Sequence, residues 1–512
     1  MPYMHDTPLT SPSRTPSPSS RPKSFPPQTS TSADASRRLD HHESEVLIVG
    51  AGILGTSLAI ALARPPHNRS VTLLEKSLKE PDRIVGELLQ PGGVSALRKL
   101  GLEDCLEDID SIKVKGYEVI YYGKGVEIAY PENAGEAIRT PTSPELAKRP
   151  GRPEGRSFHH GRLIRKLRET AMREPNISVI ESTVTGVIKD TYVGHVLGVE
   201  STTKGEKDAW FGQLTVVADG YNSKFRKEFI PRSVISRSRF WGLELIDADL
   251  PKPMHGHVVL GEGAPVLLYQ IGTRETRALV DVPEGLESAS TQNGGVKGHL
   301  RKIVLPSLPK SVQPSFERAL DEGKLRSMPN SFLPPSVNRS PGLIMLGDAM
   351  NMRHPLTGGG MTVAFNDVVL LQDLLRPENV SNLGATDLVL QQMKTFHWRR
   401  KNLTSVINIL AQALYSLFAA NDPQLKALQL GCFRYFECGG QCIDGPVGLL
   451  AGIIRRPFVL FYHFFSVALL AIWIHIHQSP LYMLPWTLLT SIGIFYKACV
   501  VIFPFIFSEL RN

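Results

Sequence analysis

Short apolar runs that stop at a glycine or an acidic residue recur along this chain, and several open onto helices. The first, "EVLIVGAGILGTSLAIALARP", sets an apolar run before Gly50 and then a helical stretch that Pro65 ends. A second run, "VTLLE", closes on Glu75. A third, "LTVVADGYNSKFRKE" (214–228), reads as a buried strand ending at Asp219-Gly220, with a Ser and an Arg at the helix start that follows. A fourth, "GLIML", ends at Gly347-Asp348; Pro355 and the consecutive Gly358, Gly359 and Gly360 then precede a helix starting near Met361. Between these, "FWGLELIDADL" (240–250) and "HGHVVLGEGAPVLLYQIGTRETRALVDVPE" (255–284) carry apolar-rich runs bounded by turn residues, expected to form the sheet roof of a second domain. The apolar helix "VINILAQALYSLFAA" (406–420) is expected to close a cavity under that roof.

The two ends of the chain are different materials. Ser, Thr and Pro make up 22 of the first forty residues, a composition that cannot bury enough apolar surface to offset ordering entropy, so a disordered tail is expected. It has no apolar core of a secretory signal, and its prolines argue against an amphipathic transit helix. At the other end, "PFVLFYHFFSVALLAIWIHIH" (457–477) holds 21 residues without acid, lysine or arginine, enough to cross a bilayer core. The apolar stretch 481–507 is interrupted by Pro485, Lys497 and Pro504. A lysine at mid-depth costs about 2.5–3.5 kcal/mol, so this stretch is expected at the interface or against protein rather than spanning. Arg455 and Arg456 are expected as headgroup anchors before the first segment.

Composition adds limits rather than direction. An apolar fraction of 42% over 512 residues allows two or three domains, and the net charge of +8 is scattered rather than striped, which argues against a nucleic-acid partner. Cys432, Cys438 and Cys442 match no zinc spacing and are expected as small buried residues in a reducing compartment.

The chemistry lies in the glycines. Gly50-x-Gly52-x-x-Gly55, between an apolar run and a helix, is a dinucleotide-binding fingerprint in the right context. Gly50 permits the tight turn, Gly52 lets backbone approach a pyrophosphate, and Gly55 lets helix and strand pack closely. The helix N-terminus offers unpaired N–H donors, and Glu75 is placed to accept from adenosine ribose hydroxyls. This fingerprint does not separate NAD from FAD. The Asp219-Gly220 and Gly347-Asp348 turns bring further carboxylates to the same crevice, which suits a cofactor with a polyol chain; Asp348 is suited to a ribitol hydroxyl that NAD lacks. Asp219 reads equally well as a turn or helix cap. A second glycine loop of this kind is missing from the sequence, so no separate NADPH domain of that type is expected.

With these residues in view, the chain resembles the aromatic-hydroxylase-type flavin monooxygenases. Longer strings narrow the resemblance to the squalene monooxygenase (squalene epoxidase) family: "EPDRIVGELLQPGG" (80–93), "FHHGR" (158–162), "LRSMPNSFLPP" (325–335), "GDAMNMRHPLTGGGMTVAFND" (347–367) and "NILAQALYSLF" (408–418). The apolar C-terminus also fits, and the Ser/Thr/Pro tail is more similar to fungal than to animal members. The resemblance implies FAD contacts at Ala51, Gly52, Glu75, Lys76, Arg83, Leu88, Arg168, Val184, Asp348 and Met361, within the glycine frame of Gly50, Gly55, Gly358 and Gly359. Lys76 stands where the family often has Arg, and loses its planar fork; Leu88 stands where a Phe can occur. It implies Tyr117 and Gln90 as the catalytic pair beside the flavin ring, and a structural role is expected for His354. The glycine turn would carry backbone past the ring, with the next helix directing N–H groups toward its N1–C2 carbonyl side.

The activity implied is epoxidation of squalene to (S)-2,3-oxidosqualene with O2, in sterol (ergosterol) biosynthesis. Electrons would come from NADPH through NADPH–cytochrome P450 reductase at the endoplasmic reticulum membrane, with the catalytic part cytosolic. A flavin-dependent prenyl-chain reductase and a non-catalytic prenyl-binding escort protein are the competing readings. The fold class expected is α/β: a Rossmann-type FAD-binding domain in three parts (44–112, 158–235 and 340–378), with a β-sheet substrate domain in two (113–157 and 236–339). A tail over 1–43, a helical region over 379–455 and membrane-associated helices over 456–512 complete the expected division.

Overall fold

A parallel sheet collects the strands that end in glycine. In the computed structural model, which describes residues 42–132 and 152–510, β1 (His42–Val49), β2 (Val71–Glu75) and β8 (Ile177–Glu181) lie parallel, and β1 pairs on its other side with β11 (Glu206–Val217). β17 (Leu343–Met345) adds a short parallel strand to β11. β9 (Thr183–Lys189) and β10 (Val196–Thr203) extend the sheet with antiparallel pairing. Four of the five parallel strands are the apolar runs seen in the sequence, because a strand covered on both faces needs no polar alternation. The expected tail over 1–43 falls almost wholly outside the described residues.

Helices α1 (Ile53–Ala63) and α3 (His160–Arg173) lie against this sheet; α4 (Gly360–Leu374) packs on α1, and α2 (Pro91–Lys99) packs on α4. Every residue of α1 is buried, against α4 on one side and α3 on the other. A helix that is apolar all round belongs inside a protein.

A second, mostly antiparallel sheet is built from β5 (Gly116–Tyr121), β6 (Lys124–Ala129), β12 (Ile235–Ile246), β13 (His255–Leu260), β14 (Val266–Gln270), β15 (Glu275–Pro283) and β16 (Arg326–Phe332). Its order is β16-β12-β15-β14-β13-β5-β6, with β13 and β5 parallel. A small three-stranded sheet of β3 (Leu88–Leu89), β7 (Gly155–Ser157) and β4 (Ile112–Val114) lies at the crossings between the two. The chain therefore enters the second sheet after β4, returns to the first at β8, leaves again at β12 and comes back at β17. This is a mixed α/β architecture with a helical C-terminus.

That C-terminus comprises α5 (Thr386–Phe418), α6 (Pro423–Glu437), α7 (Gln441–Leu450), α8 (Pro457–Gln478) and α9 (Leu484–Leu510). Helix α8 and the stretch Leu481–Leu510 are both long and apolar enough to cross a membrane, with mean hydropathies of 2.0 and 1.9. Both leave aromatic residues exposed, among them Phe458, Trp473, Trp486 and Tyr496.

Three expectations change here. Lys497 does not interrupt the last apolar stretch: α9 is continuous, and the ammonium pairs with Asp422, at the N-terminus of α6, at 2.6 Å. Arg455 is no headgroup anchor; it turns inward and donates to Asn366 Oδ1 at 2.8 Å, whereas Arg456 is exposed. Of the clustered cysteines only Cys432 is buried; Cys438 is exposed and Cys442 half-buried, because the α6–α7 turn carries them to the surface.

Candidate active site

Three loops meet where the parallel strands end. The amide of Gly50 continues the β2 ladder to Leu74 O, Ala218 N reaches Val49 O, and Leu346 N reaches Val217 O. These bonds draw the Gly50, Asp219 and Asp348 turns to the carboxyl edge of one sheet, the place where open α/β sheets bind ligands. Gly50 has φ of +105° and a Cβ there would strike the Ala218 carbonyl. A Cβ on Gly55 would strike Gly50 O, so that glycine sets how closely α1 rides on β1. Gly52 is different: a Cβ on it would meet nothing within 4 Å. It points into an open cavity.

Glu75 and Arg168 hold the glycine loop itself. Ala51 N donates to Glu75 Oε2 at 2.8 Å, and Arg168 Nε donates to Ala51 O at 2.8 Å while its guanidinium lies 3.6 Å from Glu75. Arg168 also caps the carbonyls of Ser77 and Lys79. The basic helix face that carries it is thus directed inward at this residue.

The cavity runs from this crevice to the second sheet without a partition, enclosing about 1560 Å³ of atom-free space including its open mouth. At one end it is lined by Gly52, Arg83, Asp348, Gly358, Gly360 and Met361. At the other end Tyr117, Val258, Leu267, Tyr269, Leu279 and Met328 form an apolar wall. Helices α1 and α4 both begin at the first end, with neither a side-chain cap nor an acidic residue in the first turn. Each leaves unpaired N–H groups and the positive end of its dipole at the cavity.

Among the expected residues, Leu88 also lines the cavity, and Gln90 sits directly behind Tyr117. Gly359 lies behind the turn, where a Cβ would meet Ile407 of α5 at 2.5 Å. Lys76 and Val184 stand apart from both the cavity and these contacts: Lys76 is exposed beyond the end of β2, and Val184 is buried in β9. Asp219 accepts from Lys224 N at 3.1 Å as a turn cap, while its other oxygen is buried without a partner. Burial pushes its carboxyl pKa upward. The helix at 406–420 does not line the cavity, contrary to expectation. It backs the glycine turn instead, through Ile407 against Gly359 and through Tyr415, stacked on His354 with ring centroids 3.9 Å apart. His354 caps the Pro355–Thr357 turn by accepting from Leu356 N at 3.2 Å, and burial lowers its pKa to about 3. It is neutral and structural in geometry.

A directed chain of hydrogen bonds stands behind Tyr117. Tyr130 donates to Gln90 Oε1 at 2.8 Å, and the Gln90 amide donates both to Tyr117 Oη and to Thr357 O (2.8 Å). Burial pushes the Tyr117 phenol up to about 12, so it stays protonated. The Tyr117 oxygen accepts from Gln90, which fixes the ring where it lines the cavity.

Two features escaped sequence reasoning. Arg226, noted only as a helix-start residue, reaches back to the carbonyls of Gly220, Tyr221, Asp348 and Ala349 at 2.7–3.1 Å, stapling two of the three loops. Glu87, which lines the cavity, forms a bidentate ion pair at 2.9 Å with Arg277, the two only 1% and 5% exposed. Glu87 was visible as a lone acid inside "VGELLQPGG", but nothing in the β15 sequence distinguishes Arg277 from an outward strand residue.

The fold and this crevice define a class. The chain shares its fold with a probable FAD-dependent monooxygenase, PqsL from Pseudomonas aeruginosa, at a TM-score of 0.59 and 20% identity, covering 74% of this chain and 97% of that one. Within that class, the curated squalene epoxidase erg1 of Aspergillus fumigatus is 60% identical over 94% of this chain and 96% of its own. The squalene epoxidase ERG1 of Gibberella zeae is 53% identical over 94% and 98%. Residues 211–489 match the squalene epoxidase family, and the chain belongs to that family.

Proposed function

We propose that this protein is an FAD-dependent monooxygenase that epoxidises squalene to (S)-2,3-oxidosqualene in sterol biosynthesis. The observation that carries the reading is the continuity of the cavity: a polar, glycine-walled crevice opens directly into an apolar chamber. The crevice fits the cofactor. Open space lies where Cβ atoms of Gly52, Gly220 and Gly360 would project, two uncapped helix N-termini face it, and Asp219 leaves an oxygen unpartnered. Gly50, Ala51, Gly52, Gly55, Glu75, Arg83, Leu88, Arg168, Asp348, Gly358, Gly359 and Met361 are the residues we assign to holding FAD. When bound and reduced, FAD supplies the electrons and the activated oxygen for the reaction.

The chain's own residues orient and exclude. A hydrocarbon offers no polar handle, so the wall of Val258, Leu267, Leu279 and Met328 must select it by shape and apolar burial, and the same wall keeps water from the reacting end. Tyr117, fixed by Gln90 and Tyr130, is a neutral phenol in the cavity wall, and we assign its O–H to the oxygen that the product acquires. The exposed aromatic faces of α8 and α9 support attachment to a bilayer, from which a lipid-soluble substrate can enter without crossing water. We assign the reductant to NADPH–cytochrome P450 reductase, the oxidant to O2 and the membrane to the endoplasmic reticulum, which the family membership supports.

Incubation of the purified protein with squalene, NADPH, the reductase and labelled O2 is expected to give labelled 2,3-oxidosqualene; its absence with flavin bound would overturn the reading. Asp348→Ala is expected to lose FAD retention while the protein stays folded. Unchanged flavin occupancy by visible absorbance would remove Asp348 from the site.

A further inference from the structure

The last turn of the last apolar helix ends in a buried acid. Glu509 in α9 is 2% exposed, although it lies one residue from the end of the helix. Its carboxylate accepts from Ser405 Oγ at 2.9 Å and from Asn408 Nδ2 at 2.8 Å, both on α5, and Lys401 Nζ donates to its backbone carbonyl at 2.6 Å. Asn408 Nδ2 also lies 3.3 Å from Asn351 Oδ1. Asn351 is fully buried, and it in turn takes a hydrogen bond from Arg353, at 2.9 Å to its Oδ1. Arg353 lines the cavity together with Asp348. The group is closed electrically by Arg400, whose guanidinium forks onto Asp367 at 2.9 and 2.6 Å. Arg353, Arg400 and Lys401 thus lie in the same neighbourhood as the acids Asp367 and Glu509.

We infer that Glu509 is a positioning residue: through Asn408 and Asn351 it holds the segment from Asp348 to Arg353, so that docking of the membrane-associated helix sets the geometry of the crevice. The inference rests on the flavin reading of the Asp348 turn. Its physical basis is that a buried carboxylate is tolerated only when hydrogen-bonded, so Glu509, Ser405 and Asn408 fix one another's positions, and Asn408 passes that constraint to Asn351. An apolar residue at 509 would anchor the helix equally well but would leave Ser405 and Asn408 without their acceptor.

The test uses the full chain in detergent or nanodiscs, with FAD affinity read by flavin fluorescence and folding by the thermal midpoint of the FAD-free protein. Glu509→Gln is expected to weaken FAD binding about tenfold, the loss of one charged hydrogen-bonded link, with thermal midpoint and membrane pelleting unchanged. Glu509→Asp is expected to restore much of the affinity. Asn408→Ala, which breaks the link while leaving the carboxylate on Ser405, is expected to behave as Glu509→Gln and serves if that variant does not fold. Wild-type affinity in both Glu509→Gln and Asn408→Ala overturns the inference, as does weakening that appears only with a lower midpoint or lost pelleting. A wild-type protein that takes up no FAD overturns the flavin reading itself, which separates the two failures.

Discussion

Single residues here are placed by burial against charge. Asp281 is fully buried in β15, accepting from Asn330 Nδ2 at 2.7 Å and from Tyr415 at 3.0 Å. Desolvation outweighs those bonds and raises its pKa to about 6. Because the folded state then holds a proton that the unfolded chain has released, stability falls as pH rises from about 4 to about 6 and stays lower above it. Two units correspond to about 2–3 kcal/mol. Asp281→Asn is therefore expected to flatten that part of the stability–pH profile, measured by thermal unfolding between pH 4 and 7; an unchanged slope would assign it elsewhere. The same logic explains why some site residues were readable and others not. Asp348 and Glu75 announce themselves by ending apolar runs. Arg226 and Arg277 act over 122 and 190 residues of sequence separation, and no local pattern marks such partners.

At the scale of elements, strand ends and helix starts do the work. β1, β2, β11 and β17 were legible because a parallel strand covered on both faces is a plain apolar run, and the helices after Gly52 and Gly359 followed from the glycines. Their glycines differ in what they protect. A Cβ on Gly55 would strike the Gly50 backbone, whereas one on Gly52 would enter open cavity. Gly55→Ala is expected to lower the stability of the FAD-free protein by about 1–3 kcal/mol, as overpacking does. Gly52→Ala is expected to leave that stability unchanged and weaken FAD binding. Thermal scans with and without FAD separate the two, and equal behaviour of both variants would refute the distinction. What the helix at 406–420 packs against was not legible, since apolar residues facing a cavity and apolar residues facing a turn look alike.

At the scale of the whole molecule, the two large sheets share a cavity wall and are linked by a few buried polar bonds. Glu87, beside β3, meets Arg277 on β15, so the ion pair ties the small three-stranded sheet to the second sheet. Removing one partner strands the other charge: Glu87→Gln is expected to cost about 3–5 kcal/mol, whereas replacing Glu87 and Arg277 together by apolar residues of similar volume is expected to be near neutral. Thermal midpoints of the two variants decide this, and a double variant as unstable as the single would show that the pair contributes more than mutual neutralisation. At this scale α8 and α9 also find their place: α9 packs on α5, α6 and α8, and Asp422 neutralises Lys497.

The sequence by itself determined the α/β class, the glycine loop, the acidic turns after it and the apolar C-terminus, because each is written in neighbouring residues. Only the tertiary structure decided that Gln90 and Tyr130 stand behind Tyr117, that Arg226 staples two turns and that Glu509 reaches the interior beside Asn351. Those contacts join segments far apart in the chain, and their energy comes from shared burial, which local patterns do not encode.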